Sequence, residues 1–329
     1  MFNFNQRRVL VAGGTGLIGR PLVDRLIEAG AKVSIASLDD SRRAHPDAEF
    51  KQLDLTSIEN CMTCCKGQDY VFNLLCVKGS PAVTTNRPAS FFVPNITFNT
   101  NLMEAARRSN VEGYLFSSSL AVYCPAEIFY EDDVWKTFPS ENDKFAGWAK
   151  RMGELQAEAY RIEYGWNKIS IVRPANVFGP NDNFDLANAM VVPSLIRRAV
   201  GGESPLTVWG DGSAIRDFIY ADDVAKGMLL VAQSGEQQPV NLGSGTGVSI
   251  RELVDVIVDN IDPKPEVIWD TSKPTGDKKR VLDVSRARSL GFKPSVTLKQ
   301  GIHDTLKWYR DNRAKPSLRY DIFAAKGAL

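Results

Sequence analysis

Lys150 is the residue around which the chemistry of this chain can be organised. It ends the run Phe-Ala-Gly-Trp-Ala-Lys at residues 145–150, and Arg-Met-Gly-Glu follows at residues 151–154. An ammonium group stabilises the ionised form of a nearby proton donor, and a donor four residues earlier on a helix would share the lysine's face. That position holds Ala146, which has no proton to offer. The stretch therefore indicates a proton-transfer reaction, but it lacks the proton donor.

A glycine-rich turn at the start of the chain is the second motif. The apolar run at residues 8–12 predicts a buried strand, and a helical pattern follows up to Gly30. Three glycines between a strand and a helix allow a tight turn, close approach to a pyrophosphate and close packing of the helix. We therefore predict a dinucleotide-binding turn made of Gly13, Thr15, Gly16, Leu17, Ile18 and Gly19.

The end of the second predicted strand, residues 32–37, bears on the choice of cofactor. An acid at this point usually holds the ribose 2′-hydroxyl of NAD. The residue here is Ser37, with Asp39 two positions further on and Arg42 and Arg43 after it. A small neutral residue with nearby arginines favours NADP(H), and NAD(H) is the alternative because Asp39 can take the part of the acid.

The third extended run adds two predicted cofactor contacts. Residues 50–53 form this run, and Asp54 and Leu55 close it. In a dinucleotide-binding arrangement an aspartate at this point can reach the adenine amino group. We therefore place Asp54 and Leu55 in the predicted cofactor site.

Composition and charge exclude several other classes of protein. The net charge of +1 gives no overall field for nucleic acid or an anionic membrane, and no apolar run reaches the roughly 18 residues of a membrane span. The first residues lack a signal-peptide pattern, so we expect a cytoplasmic location. Cys61, Cys64 and Cys65 lack partner ligands at zinc spacing, so we expect helix packing and no metal site.

Strands alternating with helices up to residue 118 predict an α/β fold with a doubly wound parallel Rossmann sheet. We expect a dinucleotide-binding domain at residues 1–174 plus about 219–246. A smaller carboxy-terminal substrate domain would take about 175–218 plus 247–315. Residues 316–329 are expected to form a loosely held tail.

Several of these motifs together carry a resemblance. The chain resembles the extended short-chain dehydrogenases, the NAD-dependent epimerase/dehydratase family that acts on nucleotide sugars. The resemblance rests on the glycine turn, Ser119 with Tyr123, the lysine stretch, Arg173–Pro180, and the runs 209–212 and 216–218. Within the family, residues 77–79 and 179–184 are most similar to those of GDP-fucose synthases.

The resemblance implies a reaction and a set of residues. Family members transfer hydride at a sugar carbon, usually C4, where a serine and a tyrosine hold the sugar oxygen and a lysine lowers the pKa of the tyrosine. Ser119 and Lys150 fit the serine and the lysine, and Ala146 stands at the tyrosine position. The implied cofactor contacts also include Leu75, Lys150, Pro174, Asn176 and Val177. Lys78, Ser119, Ala121 and Asn176 are implied contacts of the sugar.

Ala146 leaves two explanations open. It is either a substitution that stops turnover, which we favour, or a sign that another donor such as Tyr123, Tyr130 or a water serves the reaction. A catalytically lost regulatory protein that binds NADP and a nucleotide sugar is the alternative function.

Other departures from the family narrow the reaction. GDP-fucose synthases epimerise C3 and C5 with a cysteine and a histidine, and the matching positions here are Ala121 and Met190. The Asp-Glu pair of the 4,6-dehydratases is replaced by Leu120 and Ala121. With double epimerisation and dehydration disfavoured, the remaining reaction is oxidation or reduction at one sugar carbon. A 4-ketoreductase or a 4-epimerase carries out this reaction.

The second half of the chain supplies the expected substrate clamp. The resemblance implies that Arg198, Arg216 and Arg280 bind the diphosphate, since guanidinium groups suit phosphate oxygens, and that Trp209 packs near the base or ribose. In many relatives, helices matching residues 95–109 and 147–164 form a homodimer. Met152, Leu155 and Ile162 are the candidates for that contact here.

Overall fold

The computed structural model describes residues 2–79, 81–273 and 275–323. Ser80, directly after the run 77–79, and residues 324–329 of the predicted tail lie outside the described residues. In the described part of the chain no helix is long and apolar enough to cross a membrane.

The regular elements alternate along the chain. The strands are β1 (Arg8–Ala12), β2 (Lys32–Ser37), β3 (Glu49–Gln52), β4 (Tyr70–Asn73), β5 (Gly113–Ser117), β6 (Ile128–Phe129), β7 (Ile169–Pro174), β8 (Asn176–Phe178), β9 (Leu206–Trp209), β10 (Ile215–Tyr220), β11 (Val240–Leu242), β12 (Gly247–Ser249), β13 (Val267–Asp270) and β14 (Lys279–Leu282). The helices are α1 (Gly19–Glu28), α2 (Ile58–Cys65), α3 (Pro81–Asn86), α4 (Pro88–Arg108), α5 (Lys144–Tyr164), α6 (Val191–Val200), α7 (Ala221–Ser234), α8 (Ile250–Val258), α9 (Ser285–Ser289) and α10 (Leu298–Asn312).

The main sheet has seven parallel strands in the order β11-β7-β5-β4-β1-β2-β3. The chain builds outward from β1 to β3 and then returns to the other side through β4, so the sheet is doubly wound as predicted. Side chains alternate between its two faces because successive residues of a strand point in opposite directions. Val9 and Val11 of β1 join one apolar core with α1 and α7, whereas Leu10 and Ala12 join the other with α2, α4 and α5.

The three cysteines of α2 are fully buried in that second core, as the packing interpretation predicts. Among the described residues no group of His, Cys, Asp and Glu could hold a metal ion.

Two smaller sheets lie beside the main one. The first runs β12-β10-β14-β6, with β8 paired to β10, and the second pairs β9 with β13. Apolar residues of β8, β9 and β10 share a third core with α6, α8 and α10, whereas Phe129 of β6 and Leu282 of β14 join the first core. Strand β6 falls inside the range predicted for the dinucleotide domain, yet it pairs with β14 near the end of the chain. The smaller sheet therefore crosses the predicted domain boundary.

Candidate active site

The glycine turn has the geometry that a bound pyrophosphate needs. Gly13 has a φ of +82°, a conformation that side chains rarely tolerate, and its N–H donates to the carbonyl oxygen of Ala36 over 2.9 Å. A Cβ added to Gly19 would lie 2.2 Å from the Gly13 carbonyl oxygen, so α1 can begin this close only with glycine there. The turn thus brings the amino end of α1, where the helix dipole favours an anion, to the ends of the strands.

A cavity of about 330 Å³ lies at the carboxyl ends of β1, β2 and β4. This volume falls in the range of small-molecule sites, and the position is where doubly wound sheets bind ligands. The predicted contacts that line it are Gly13, Thr15, Gly16, Leu17, Ile18, Gly19, Ser37, Asp54, Leu55, Leu75 and Lys78. The structure therefore brings most of the predicted cofactor residues into one groove.

Arg42 is one of the predicted cofactor residues that do not line the groove. Its guanidinium is exposed and pairs with Asp40 over 2.7 Å, so the expectation that Arg42 lies in the site is corrected. Arg43 points inward instead, donating to the carboxylate of Asp39 and to the carbonyl oxygen of Thr15, each over 3.2 Å. Arg42 pairs with Asp40 in a short 3-10 turn, whereas Arg43 bonds two residues of the groove wall without lining the groove itself.

Thr15, Ser37 and Asp39 form a buried hydrogen-bond cluster at this end of the groove. The Thr15 hydroxyl lies 2.7 Å from Asp39 Oδ2 and 2.9 Å from the Ser37 hydroxyl. Ser37 also accepts from the N–H of Asp39 over 3.1 Å. Ser37 thus fixes the Asp39 carboxylate beside the Arg43 guanidinium.

Lys150 is buried against the end of β5. Its Nζ donates to the carbonyl oxygen of Ser117 over 2.8 Å and to that of Leu75 over 3.2 Å, and it lies 5.1 Å from the centre of the Phe116 ring. Burial lowers the pKa of the ammonium, and the Lys78 charge acts in the same direction. Because an ammonium has three protons, one remains for a ligand at the edge of the groove.

Two glycines let α5 approach Ser119. A Cβ on Gly147 would lie 2.4 Å from the carbonyl oxygen of Ala121, and one on Gly153 would lie 2.4 Å from the Phe116 ring. Ser119 begins the 3-10 turn that Gly147 contacts, and its Oγ accepts from the N–H of Ala121 over 3.2 Å. The hydroxyl of Ser119 keeps a proton to donate, while half-buried Ala146, next to Gly147, supplies none.

Tyr123 is excluded as the replacement donor. The side chain is buried, and its hydroxyl donates to Asn241 Oδ1 over 2.6 Å and accepts from Arg173 over 3.0 Å. Burial raises the pKa of the phenol. Its ring stacks on Phe129 with centres 4.8 Å apart. Tyr123 therefore serves the structure beneath the site, whereas Tyr130 is half exposed at the surface.

Arg216 and Arg280, two of the three arginines expected to bind the diphosphate, form a basic pair. They lie opposite each other on the parallel strands β10 and β14. Burial lowers the pKa of Arg216, and the neighbouring Arg280 adds to this. Arg280 also pairs with Asp277 over 2.6 Å and with Asp143 over 2.5 Å.

Asp143 connects this pair to the reaction helix. It immediately precedes α5, the helix that carries Ala146 and Lys150. The first two turns of α5 thus lie between Arg280, which pairs with Asp143, and the carbonyl oxygen of Leu75 on the groove wall, which Lys150 contacts. Nothing in the sequence pattern indicated the part of Asp143, because its partner lies far away in the chain.

The remaining predicted residues are dispersed. Arg198 is held by Glu203 and donates to the carbonyl oxygen of Thr207 over 2.6 Å, while Trp209 is 57% exposed. Neither is among the residues that line the groove. Asn176 donates to the carbonyl oxygen of Asp217, next to Arg216, over 2.9 Å. Pro174 ends β7, and Val177 lies beside Asn176 in β8.

Asp182 is a buried carboxyl group in the groove wall that sequence reasoning did not assign to the site. Burial raises the pKa of this group, although Lys78 and Arg319 oppose the effect. The oxygen Oδ1 accepts from the N–H of Asn183 over 2.7 Å. Asp182 lies in the run 179–184, which is most similar to GDP-fucose synthases, and this was the one sequence signal that could have assigned it to the site.

The tail prediction is corrected for the residues that the structure describes. Ser317 and residues 319–323 line the groove, and the carbonyl oxygen of Leu318 accepts from the N–H of Asp40 over 3.1 Å. The expectation of a loosely held segment rested on local composition, which carries no information about a groove built by distant residues.

A second cavity of about 330 Å³ lies at the opposite edge of the sheet, near Arg7, Gly113 and Lys168. These residues lie at the amino ends of β1, β5 and β7. Since doubly wound sheets bind ligands at the carboxyl ends, we do not place the reaction there.

The doubly wound sheet, the three-glycine turn and the groove at the strand ends define a Rossmann-type dinucleotide-binding fold. The chain belongs to the NAD dependent epimerase/dehydratase family, whose profile matches residues 9–243.

Individual relatives extend the likeness over nearly the whole chain. The chain is 33% identical to GDP-L-fucose synthase 1 of Arabidopsis thaliana, over 93% of this chain and 94% of that protein. It is 28% identical to dTDP-4-dehydro-6-deoxy-D-allose reductase of Streptomyces bikiniensis, over 92% of this chain and 96% of that protein. The structure of UDP-glucose 4-epimerase from Thermus thermophilus in complex with NAD is similar, with a TM-score of 0.79, 26% identity and coverage of 93% of this chain and 99% of that one.

Proposed function

We propose that the chain is a nucleotide-sugar oxidoreductase of the 4-ketoreductase or 4-epimerase type, with hydride transfer at C4 of the sugar. The observation that carries this proposal is the course of α5. Lys150 of this helix bonds Leu75 in the wall of the dinucleotide groove. Asp143, the residue immediately before the helix, pairs with Arg280 of the basic pair. A cofactor in the groove and a diphosphate on Arg216 and Arg280 would meet along this helix.

The groove residues fit a nicotinamide dinucleotide. Gly13 forms the tight turn and Gly19 lets α1 pack closely against it, which brings the amino end of α1 to the place where a pyrophosphate is expected. When bound, the cofactor supplies the hydride and this chain supplies its position. We propose NADP(H), with Arg43 as the nearer of the two arginines, because its guanidinium bonds Asp39 and Thr15, which line the groove. NAD(H) is the alternative, favoured by Asp39 and by the NAD in the Thermus relative.

Ser119 and Lys150 would hold the sugar and cofactor hydroxyls. In this proposal the Ser119 hydroxyl donates to the sugar C4 oxygen, and the third Lys150 proton binds the nicotinamide ribose. Ala146 lies one turn before Lys150 and has no group that could move a proton. We therefore propose that this chain binds its ligands and turns over slowly.

The reaction class is inferred from the groups that the neighbouring positions lack. Ala121, buried beside Ser119, is an apolar methyl group that cannot take a proton from C3 or C5. Met190 is half exposed at the start of α6 and likewise carries no acid or base. These residues support redox at one carbon over a double epimerisation.

A regulatory protein that binds NADP and a nucleotide sugar without turnover is the second candidate. Ala146 is the observation that favours it. The two candidates predict the same binding, and they differ in whether turnover returns once a phenol is restored at this position.

Calorimetry tests the proposed ligands directly. The chain is titrated with NADPH and NADH, and then, with the cofactor present, with GDP-, UDP-, dTDP- and CDP-sugars. We expect one dinucleotide and one class of nucleotide sugar to bind with micromolar affinity, which corresponds to about 8 kcal/mol. Binding of the dinucleotide without any nucleotide sugar would contradict the proposed substrate.

We also propose that the chain forms a homodimer through α4 and α5. Leu155 and Ile162 of α5 are 44% and 79% exposed, and their spacing of two turns puts them on one face. Met152, the third candidate, is half buried and contributes less surface. Light scattering should give twice the chain mass, and Ile162→Glu should give a monomer.

A further inference from the structure

The carboxy-terminal segment Ser317–Phe323 forms part of the wall of the dinucleotide groove. Its backbone joins the loop after β2, where the ribose of a cofactor is expected. The N–H of Tyr320 donates to Asp39 Oδ1 over 2.7 Å, and the carbonyl oxygen of Leu318 accepts from the N–H of Asp40 over 3.1 Å. These two bonds fix the segment beside the Thr15, Ser37 and Asp39 cluster.

The segment also contacts other parts of the groove. The Arg319 guanidinium donates to the carbonyl oxygen of Asn181, in the loop after β8, over 2.7 Å. Arg87 donates to the carbonyl oxygen of Phe323 over 2.9 Å, and its guanidinium carbon lies 5.2 Å from the centre of that ring. The segment therefore spans from the end of β2 past β8 to the start of α4.

Arg319 adds a positive charge close to those of Arg43 and Arg20. The Arg43 guanidinium is partly buried, and burial lowers its pKa, with the charges of Arg319 and Arg20 acting in the same direction. Asp39 is the carboxylate that Arg43 contacts, and it also accepts from Thr15 and Tyr320. Guanidinium groups that repel one another in a groove are stabilised by a bound anion such as a phosphate.

We propose that the segment Ser317–Phe323 is a built part of the cofactor site and that Arg319 binds a phosphate group of the dinucleotide. This inference rests on the dinucleotide binding in the proposed function. The phosphate is either the adenosine 2′-phosphate or the pyrophosphate, because both present the same oxygens to a guanidinium.

The test is the dissociation constant of NADPH and of NADH for the full chain and for Arg319→Ala, with no sugar present. We expect Arg319→Ala to weaken NADPH binding about tenfold or more, the effect of losing a charge-assisted hydrogen bond. Loss for NADPH alone assigns Arg319 to the 2′-phosphate, and equal loss for both dinucleotides assigns it to the pyrophosphate. Unchanged constants for both would overturn the proposal.

A matched control separates this result from a general effect of removing an arginine. Arg313→Ala removes an exposed arginine six residues earlier, which contacts the carbonyl oxygen of Val200, and should leave both constants unchanged. If the unaltered chain binds neither dinucleotide, the proposed function fails with this inference. If the unaltered chain and Arg319→Ala bind equally, this inference alone fails.

A second pair of variants tests the wall itself through the backbone. Tyr320→Pro removes the N–H that bonds Asp39, whereas Tyr320→Ala keeps it and removes only the side chain. We expect Tyr320→Pro to weaken binding of both dinucleotides more than Tyr320→Ala does. Equal dissociation constants for the two variants would show that the backbone bond does not shape the site. The proposal that the segment is a built part of the groove wall would then be wrong.

Discussion

Arg173 and Glu154 form a fully buried ion pair next to Ser118, beneath the proposed reaction site. Two parallel hydrogen bonds of 2.9 and 2.7 Å join them, and both side chains are at most 2% exposed. Ser118, the neighbour of Ser119, donates to the same carboxylate over 2.5 Å. The pair thus connects the end of β5, α5 and β7, and it supports Ser119 and Lys150 from below.

Removing one partner of this pair should destabilise the fold strongly. Glu154→Gln leaves the Arg173 charge buried, and we expect a loss of about 3–5 kcal/mol in the free energy of unfolding. The double variant Glu154→Met with Arg173→Met should lose less than the sum of the single variants. Urea unfolding measures Glu154→Gln, Glu154→Met, Arg173→Met and the double variant, with Lys136→Met in an exposed ion pair as the control that leaves the midpoint unchanged. Additive losses would mean that the two residues are not coupled.

Arg43 should decide the choice between the two dinucleotides. Arg43→Ala removes the inward guanidinium and leaves the Asp39 carboxylate to repel a 2′-phosphate. We expect the ratio of NADPH affinity to NADH affinity to fall by about tenfold or more. Arg42→Ala is the matched control, because Arg42 faces solvent, and it should leave the ratio unchanged. A larger effect at Arg42 would contradict the assignment of Arg43.

Arg216 should control the affinity for the nucleotide sugar. Arg216→Glu puts a negative charge opposite Arg280 where the diphosphate is expected, so we predict a dissociation constant raised at least about tenfold. Calorimetry measures this without any need for turnover. Arg310→Glu, an exposed change on α10, is the control. If Arg216→Glu binds the sugar nucleotide as tightly as the unaltered chain, Arg216 does not belong to the site.

Glu104 should make the packing of α4 on α5 sensitive to acid. Its carboxylate accepts from Arg107, Arg108 and Tyr160. The Arg107 guanidinium, with these other donors, lowers the pKa of Glu104 from 4.5 to about 2. A carboxylate whose pKa is lowered by folding stabilises the protein above pH 4.5, and this contribution is lost as the pH falls toward 2.

Glu104→Gln should therefore lower the free energy of unfolding by about 1 kcal/mol at neutral pH. The difference from the unaltered chain should stay constant down to about pH 5 and shrink below it, as thermal unfolding at several pH values can show. Glu158→Gln, an exposed change on α5, should show no such trend. A difference that is the same at pH 7 and pH 3.5 would rule out the ionised carboxylate as its source.

Local patterns in the sequence were enough to predict the fold and part of the groove lining. The spacing of Gly13, Gly16 and Gly19 and the apolar strands act over short distances, so the doubly wound sheet and the turn could be predicted. The direction of Arg43 could not, because it depends on which neighbour Asp40 binds. The pairing of Asp143 with Arg280 joins distant parts of the chain and leaves no local signal. The domain boundaries and the cytoplasmic location stay predictions.

In the proposed site, Ala146 holds the place of the proton donor beside Ser119 and Lys150. Ala146→Tyr would put a phenol one turn before Lys150, whose ammonium favours the ionised phenol. Ala146→Phe is the matched control, with the same ring and no hydroxyl. The measurement is the rate of NADPH oxidation with a nucleotide 4-keto-sugar that the chain binds.

We predict that Ala146→Tyr is faster than the unaltered chain by a factor in the range of general acid–base catalysis, about 10²–10⁴, and that Ala146→Phe is not. A rate for Ala146→Tyr equal to that of Ala146→Phe would contradict the account.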